Sequence, residues 1–346
     1  MRSIHHVLVL VLGLGLAACS QSADDAASAD EEVKTSYASP GKELGRTTHL
    51  VADPAGDAVF SVYDRALERR GADGKVQEIA KVDAGFEALV VSTKLAAVVT
   101  STYVNGGGSK ATLRVYSRAQ DWKEVRTEDL STPQSIYKHP VALLDDETIA
   151  VGSADDLLVF TADGKRTSYG GYNSKFRADE IRWLYPTGDA SHVFVALDNG
   201  EVYDVDTKTS TLTLQPKREG EDHAFEIYFH AKSKRWITTD FRTVNVWGLD
   251  GKRLKQATLV TEKSRFFTAG ALHGDDIVLA NDSEKSQDRS VLATYDLETL
   301  TRKEVGTFDG KIGELAPTND QLFFTFSPKG AEGFNSRVYY AHVREM

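Results

Sequence analysis

The fold is decided by residues 224–260, which read AFEIYFHAKSKRWITTDFRTVNVWGLDGKRLKQATLV. Apolar and polar residues alternate in four short runs, and polar segments that contain Asp, Gly or Lys separate the runs. Alternation with a period of two indicates a β-strand with one buried face. The stretch therefore predicts four consecutive strands, over Ala224–Phe229, Arg235–Thr239, Thr243–Gly248 and Arg253–Val260.

The same pattern recurs along the body of the chain. Seven times, an alternating run ends on an aromatic residue before a polar turn, and these aromatics lie 43 to 53 residues apart. They are Tyr63, Tyr116, Phe160, Tyr203, Trp247, Tyr295 and Tyr339. One four-stranded propeller blade takes about 40–45 residues. The spacing predicts an all-β fold, a seven-bladed β-propeller of four-stranded antiparallel blades; six or eight blades are the alternatives.

The two ends of the body predict how the ring closes. The seventh unit offers only three strands, over Lys311–Leu315, Gln321–Ser327 and Arg337–Val343. We expect the N-terminal segment Val33–Ser39 to complete this last blade, because a ring closed by its own first strand leaves no exposed sheet edge. In the fifth unit, Thr243–Trp247 and the turn after it resemble the third strand of a WD40 repeat. That resemblance implies a WD40-like or YVTN-like propeller.

The N-terminus has the layout of a secretion signal. Arg2 precedes an apolar run, Val7–Leu16, of about ten residues, which is too short to span a bilayer of about 30 Å. The segment Leu16-Ala17-Ala18-Cys19 resembles the lipobox of bacterial lipoproteins. The resemblance implies that residues 1–18 are a signal peptide and that Cys19 is lipidated, which anchors the chain to a membrane. An ordinary secretory peptide is the alternative.

Residues 19–36 are acidic and contain no aromatic side chain. Such a segment cannot bury enough apolar surface to fold, so it predicts a flexible, lipidated tether. The propeller domain is then expected over residues 37–346. We expect an extracytoplasmic monomer, held at the bacterial cell membrane or outer membrane.

Composition excludes several classes of function and of stabilising bond. The formal net charge of −10 argues against nucleic acid as a partner, because nucleic acid rewards clusters of Lys and Arg. Cys19 is the only cysteine in the chain, so packing and backbone pairing must hold the fold without disulfides. Metalloprotease, phosphate-loop and serine-hydrolase motifs are absent. We therefore expect that the protein is not an enzyme.

Candidate ligands lie where loops lead into the first strand of a blade. His139 precedes the third blade and His223 precedes the fifth. Carboxylates stand at the same position in the second and fourth blades, as Glu87, Asp179 and Glu180. Imidazole and carboxylate are ligands that zinc accepts. The pattern predicts a site for zinc or another divalent metal; the alternative is that both histidines are solvated or hydrogen-bonded loop residues.

The body also resembles the seven-bladed zinc metallochaperone of the Azt transport system, in layout over most of residues 45–310. The resemblance is carried by Lys138-His139-Pro140 leading to residues 151–159, by Asp222-His223-Ala224-Phe225, and by the polar loop Thr102–Lys110. It implies that His139 and His223 are metal ligands.

The sequence thus predicts a lipid-anchored, non-catalytic binding propeller that binds or delivers a divalent metal such as zinc. The alternative is a protein-interaction scaffold in a cell-envelope complex with no metal role. A lactonase or quinone-dependent dehydrogenase is a third hypothesis, which the fold class alone supports. The expected partners are the membrane, through the lipid on Cys19, and an envelope protein or a metal ion.

Overall fold

The computed structural model describes residues 38–47, 49–56, 58–82, 85–104, 108–130, 139–145, 147–153, 156–169, 181–197, 199–218, 226–240, 242–259, 267–283, 286–319, 321–330 and 337–342. The chain divides into the units Met1–Ser36 and Tyr37–Met346, and the described residues all belong to the second. The predicted signal, the predicted tether and Cys19 lie outside the described residues.

Within the described residues, the strands pair into seven four-stranded antiparallel sheets, each of which is one blade. Strand β1 (Lys42–Arg46) belongs to the last blade. Blade 1 contains β2 (His49–Ala52), β3 (Ala58–Tyr63), β4 (Ala66–Gly71) and β5 (Val76–Lys81). Blade 2 contains β6 (Gly85–Val91), β7 (Leu95–Val104), β8 (Gly108–Ser117) and β9 (Lys123–Asp129). Blade 3 contains β10 (Val141–Leu143), β11 (Ile149–Ser153), β12 (Asp156–Phe160) and β13 (Arg166–Ser168).

The remaining blades repeat this order. Blade 4 contains β14 (Ile181–Pro186), β15 (His192–Leu197), β16 (Val202–Asp206) and β17 (Thr211–Leu214). Blade 5 contains β18 (Glu226–His230), β19 (Arg235–Thr239), β20 (Thr243–Trp247) and β21 (Arg253–Thr258). Blade 6 contains β22 (Phe267–His273), β23 (Asp276–Ser283), β24 (Ser286–Asp296) and β25 (Arg302–Phe308). Blade 7 contains β26 (Gly310–Pro317), β27 (Gln321–Pro328), β28 (Arg337–His342) and β1.

This architecture confirms the predicted all-β propeller of four-stranded antiparallel blades. Besides the strands, the described part of the chain contains one short 3-10 helix, Arg118–Gln120. None of its helices is long and apolar enough to cross a membrane.

The hydrophobic core lies between neighbouring blades. In one cluster, Ile237, Val244 and Val246 of blade 5 pack against Ile277 and Leu279 of blade 6, and all five side chains are fully buried. Side chains of a strand alternate between the two faces of its sheet, so a blade contributes to the core on both of its sides. Burying one such side chain stabilises the fold by about 1.5–3 kcal/mol.

The aromatic residues that mark the repeat are mostly core residues. Trp247, Tyr295 and Phe160 are at most 1% exposed, and the indole N–H of Trp247 donates to the hydroxyl of Thr238 at 2.9 Å. Among the described side chains, Tyr63 is 37% exposed and Tyr203 is partly buried. In the blades where the repeated aromatic is buried, it is therefore a packing signal.

The N-terminal strand that completes blade 7 is β1, which pairs antiparallel with β28. The prediction of Val33–Ser39 as this strand is wrong: within it, Ala38 and Ser39 lie outside any strand, and residues 33–37 lie outside the described residues. Strand β1 escaped detection because it is an outermost strand with mostly exposed side chains, so Lys42–Arg46 lacks apolar alternation. Arg70 of blade 1 donates a hydrogen bond to the carbonyl of Leu44 in β1. This bond ties the completed blade to its neighbour.

A buried ion pair joins blades 1 and 2 just after β2. The carboxylate of Asp53 is fully buried, and it accepts hydrogen bonds from Arg69 Nε at 2.7 Å and from Arg118 Nη2 at 2.5 Å. The backbone N–H of Ala55 adds a third bond at 3.0 Å. Burial alone raises the pKa of Asp53, but the bonds from Arg118 and Arg69 outweigh it and hold the pKa below the usual 3.8. Asp53 is thus a fully compensated structural charge.

Candidate functional site at the inner-strand rim

The first strands of all the blades begin at the same face of the ring, because each blade lays down its strands in the same order. This face is named the inner-strand rim and is defined by the first residues of those strands. They are His49, Gly85, Val141, Ile181, Glu226, Phe267 and Gly310. The rim is the face on which the sequence predicts a ligand site.

Several first strands carry a β-bulge near the rim. The register shifts between Phe86 and Ala88, between Ile181 and Trp183, between Phe267 and Ala269, and between Ile312 and Leu315. A bulge breaks the regular alternation and re-aims a side chain. Two of these bulges contain a carboxylate, Glu87 in blade 2 and Glu314 in blade 7.

Glu87 of blade 2 and His139 of blade 3 are in direct contact. Nδ1 of His139 lies 2.6 Å from Oε2 of Glu87, and the backbone N–H of His139 donates to the same oxygen at 3.3 Å. The side chain of His139 is 1% exposed and that of Glu87 is 13% exposed. The structure therefore brings together two of the five predicted ligands, from neighbouring blades.

The protonation of this pair follows from its surroundings. Burial raises the pKa of Glu87, but hydrogen bonds from His139 and Ser101 outweigh burial, so the net pKa lies below the usual 4.5. Glu87 is therefore ionised at neutral pH, and an ionised carboxylate can only accept hydrogen bonds. The shared proton must sit on Nδ1 of His139, which leaves Nε2 as the ring nitrogen available to another group.

Nε2 of His139 is buried and has no hydrogen-bond partner among the described residues. A buried polar atom without a partner costs about 1–3 kcal/mol. In metal sites, the ligating histidine commonly donates its other ring N–H to a carboxylate, as His139 does to Glu87. The geometry fits Nε2 as the ligand atom and Glu87 as the group that orients the ring.

The backbone at His139 is held by a close packing contact. Gly152 of β11 donates its N–H to the carbonyl of Pro140 at 2.8 Å. A Cβ at Gly152 would lie 2.8 Å from Pro140 Cγ and 2.7 Å from Ile181 Cγ2. Only glycine therefore lets the His139-Pro140 segment lie against β11 and the start of blade 4.

A second histidine–carboxylate pair spans the seam between blades 7 and 1. Nδ1 of His49 lies 3.2 Å from Oε1 of Glu314, and the two side chains are 39% and 40% exposed. The His49 ring also packs on Phe86 of blade 2, with the ring centroids 4.3 Å apart. In both pairs, a bulge carboxylate of one blade meets the histidine of the next blade through Nδ1. The sequence analysis missed this pair, although the position of His49 at the start of a first strand was a usable signal.

Glu226 is the other rim carboxylate that the sequence analysis missed. It is the first residue of β18, and the hydroxyl of Tyr228 donates a hydrogen bond to it. Burial raises its pKa from 4.5 to about 7. In the part of the chain that the structure describes, no cationic side chain pairs with Glu226. Its position three residues after His223 was the available signal, but its burial could not be read from sequence.

The other predicted site residues lie outside the described residues: His223, Asp179, Glu180 and the lipidation residue Cys19. Among the residues that are described, no group of three or more His, Cys, Asp or Glu side chains is placed to hold a metal ion. The described part of the rim thus supplies two imidazoles, His139 and His49, each held by a carboxylate through Nδ1, but not a complete coordination shell.

Comparison with known proteins identifies the fold. The chain is similar to a chain in the crystal structure of a mitotic checkpoint complex, with a TM-score of 0.59 and 14% sequence identity, over 97% of this chain and 99% of that chain. No protein-family model and no curated protein matches the chain. At 14% identity the likeness shows the fold alone: the chain is a WD40-like β-propeller.

Proposed function

We propose that this chain is a lipid-anchored, extracytoplasmic, seven-bladed propeller that acts as a non-catalytic binding protein for a divalent metal such as zinc. The observation that carries the proposal is His139, whose ring is fixed through Nδ1 by Glu87 and whose Nε2 is buried without a partner among the described residues. A neutral imidazole nitrogen is a preferred zinc ligand.

The sequence supplies candidates for further ligands. The segments that precede β14 and β18 carry Asp179, Glu180 and His223, and both strands begin on the same face as β10. Two imidazoles and one carboxylate form a known zinc-binding set that leaves one coordination position open. Zinc bound there would keep one coordination position for a further ligand, and Glu87 would orient the His139 ring through Nδ1.

Calorimetric titration of zinc into residues 20–346 tests this function. We expect one site, and we expect its affinity to fall by at least tenfold in the double variant His139→Ala, His223→Ala, because two ligand atoms are lost. Partly exposed His192, which pairs with Asp204 on the opposite face, gives the matched control His192→Ala. Zinc binding of equal affinity in the double variant and the parent would rule out this site.

The conservative variant Glu87→Gln separates orientation from ligation. The Gln side chain is an uncharged acceptor, so it favours the Nδ1–H form of His139 less than the carboxylate of Glu87 does. Loss of such an outer partner typically weakens metal binding by about 10- to 100-fold. Unchanged zinc affinity with a native thermal transition would show that Glu87 does not orient a metal ligand.

The lipid anchor rests on the sequence around Cys19 and is tested separately. Mass spectrometry of the mature N-terminus is expected to show cleavage before Cys19 and acyl chains on that residue. The variant Cys19→Ala is expected to move the protein from the membrane fraction to the soluble fraction. An unmodified N-terminus at another position contradicts the anchor without touching the metal proposal.

A protein-interaction scaffold is the second candidate, and one feature of the surface favours it. Leu214 of blade 4 and Leu254 of blade 5 lie on outermost strands and are 50% and 49% exposed. The similar solved chain comes from a multiprotein complex. Cross-linking in intact envelopes is expected to recover one dominant partner for the parent and less of it for Leu214→Ser, Leu254→Ser. Recovery of no partner by the parent counts against the scaffold.

A further inference from the structure

The seam between blades 5 and 6 has polar side chains at its rim end. Glu226 of β18 and Thr239 of β19 stand directly opposite each other in the antiparallel ladder. Residues paired in this way share one face of the sheet, and Ile237, two residues before Thr239, lies on that face as well. Ile237 belongs to the core cluster that includes Ile277 of blade 6, so Glu226 and Thr239 face blade 6.

Asn281 of β23 faces the same seam from blade 6. It pairs with Phe267, the first residue of β22, and therefore lies at the rim. Leu279, two residues before Asn281, belongs to the core cluster shared with blade 5, so the Asn281 side chain lies on the blade 5 side of its sheet. Gly270 of β22 pairs with Leu279 and has no Cβ, so it adds no side chain to the seam just inside the rim.

Two of these three polar side chains hold a buried atom that lacks a partner. Thr239 is 0% exposed and Asn281 is 5% exposed. Neither the hydroxyl of Thr239 nor Oδ1 of Asn281 has a hydrogen-bond partner among the described residues. Native proteins satisfy most buried polar groups, and a ligand that brings its own donors would satisfy both of these.

Glu226 adds a charge to the seam. The hydroxyl of Tyr228 donates a hydrogen bond to its carboxylate, and no cation in the described part of the chain pairs with it. Burial raises the pKa of Glu226 to about 7, since burial disfavours the ionised carboxylate, whereas a cation placed beside the group favours it. The Tyr228 ring packs against the core between the two blades and gives the seam an apolar wall.

We propose that the rim end of the seam between blades 5 and 6 binds a primary ammonium group on a short alkyl chain, which donates to the carboxylate of Glu226, the hydroxyl of Thr239 and Oδ1 of Asn281. An ammonium group has three donors and no acceptor, which matches three oxygen acceptors. Calcium also prefers oxygen ligands but takes about 6–8 of them, more than these side chains offer. The site uses none of the residues assigned to zinc, so it is independent of the metal proposal.

Three probes test the charge and the donors, titrated by calorimetry into the full chain at pH 8, where Glu226 is ionised. Butylammonium has both, 1-butanol lacks the charge, and tetramethylammonium lacks the N–H donors. We expect one saturable site for butylammonium, and binding of both controls that is weaker by about tenfold or more, the size of a hydrogen bond to a charged group. Equal binding of the three probes, or calcium binding in place of butylammonium binding, overturns the proposal.

A fourth probe, Nα-acetyl-lysine amide, separates two sources of the ammonium group. Binding as tight as that of butylammonium assigns the site to a lysine side chain of a polypeptide, and weaker binding assigns it to a free amine. The variant His139→Ala, which removes a proposed zinc ligand, should bind butylammonium as the parent does. Loss of butylammonium binding in a folded His139→Ala variant would show that the two sites are one and overturn this assignment.

Matched variants locate the site. Glu226→Gln should lower the affinity for butylammonium by about tenfold or more. Its control is Glu201→Gln in blade 4, where the hydroxyl of Tyr203 donates to Glu201 in the same way, at 3.0 Å. Thr239→Val removes only the hydroxyl and should lower the affinity by about fivefold, whereas Thr100→Val makes the same change at the buried rim end of β7.

Asn281→Asp adds a second carboxylate to the seam and should raise the affinity for butylammonium, which a purely structural role of Asn281 would not do. Cooperative urea unfolding shows which variants are folded. Equal effects within either matched pair of folded variants, or weaker binding by a folded Asn281→Asp variant, would overturn the assignment to this seam.

Discussion

Asp53 and Glu226 are carboxylates at an end of a first strand, Asp53 buried and Glu226 partly buried, and their surroundings differ. Asp53 follows β2 on the face away from the rim and is compensated by Arg69 and Arg118. Glu226 opens β18 on the rim, and among the described residues only the Tyr228 hydroxyl is placed against it. The pKa of Asp53 is lowered and that of Glu226 is raised to about 7. Ionised Asp53 therefore stabilises the fold, whereas ionisation of Glu226 destabilises the fold.

The rim contains further polar atoms that have no hydrogen-bond partner among the described residues. Nε2 of His139 and Oε2 of Glu314 are buried without hydrogen-bond partners among the described residues. Thr239, which faces Glu226 across the ladder between β18 and β19, has an equally unpartnered hydroxyl. Native proteins satisfy most buried polar groups and make exceptions at functional sites. In the described part of the chain such atoms also occur away from the rim, as at Gln321 Oε1 at the start of β27, so the placement of the binding site at the rim depends on the contact between His139 and Glu87.

The largest effect is expected at the compensated charge. Asp53→Ala removes the acceptor shared by two arginines and leaves both cations partly buried, which costs about 3 kcal/mol. Urea unfolding at pH 7 measures the loss. The exposed turn variant Asp73→Ala is the control; it removes one exposed turn hydrogen bond and should lower the midpoint far less. A midpoint for Asp53→Ala equal to that of the control would show that the ion pair of Asp53 does not stabilise the fold.

Substitution of Glu226 should have the opposite effect on the free energy of unfolding and stabilise the fold. Glu226 ionises near pH 7 in the folded protein but near 4.5 in the unfolded chain, so between these values the folded state holds a proton that the unfolded state has released. Stability therefore falls as pH rises from 4.5 to 7. Glu226→Gln removes this loss and should be more stable than the parent by about 3 kcal/mol at pH 8, with little difference at pH 4.5.

Unfolding curves across this pH range test the sign, with exposed Glu78→Gln as the control. A Glu226→Gln variant that is less stable than the parent at pH 8 would mean that the ionised carboxylate is compensated after all. The carboxylates Glu226 on the rim and Asp53 on the opposite face would then both be compensated charges.

Glu87 sharpens the comparison because it lies on the rim but has a partner. Its pKa is lowered, so its contribution to stability is complete above about pH 4.5 and declines as the pH falls below that value. Glu87→Gln should cost about 1 kcal/mol at pH 7, the size of one hydrogen bond, and should flatten the acid limb of the pH profile. An unchanged acid limb would show that the contact with His139 is not formed in solution.

The blades could be predicted from sequence because their signal is local. In blade 5, Arg235–Thr239 is observed with the predicted bounds, and the neighbouring strands differ from their predicted bounds by at most two residues at each end. Strand β1 could not be found, since an outermost strand such as Lys42–Arg46 buries little and needs no apolar alternation. Detection from sequence thus depended on how much of a strand is buried.

The candidate site was predictable only in part. Equivalent blade positions placed Glu87 and His139 on one rim, but their hydrogen bond depends on a bulge in β6 that no residue pattern announces. The sequence shows that residue 226 is a glutamate. It does not show the burial of the side chain or the lack of a cationic partner among the described residues, because both depend on the fold. His49 and Glu314 meet across the seam of the ring, at opposite ends of the chain.

The most direct test of the rim as a metal site is the metal content of the protein purified without chelator, measured by elemental analysis for the parent and for His139→Ala. The account predicts about one equivalent of a divalent metal, zinc foremost, in the parent, and loss of that metal in a variant that still unfolds cooperatively. A metal-free parent, or the same metal content in a folded His139→Ala variant, would contradict it.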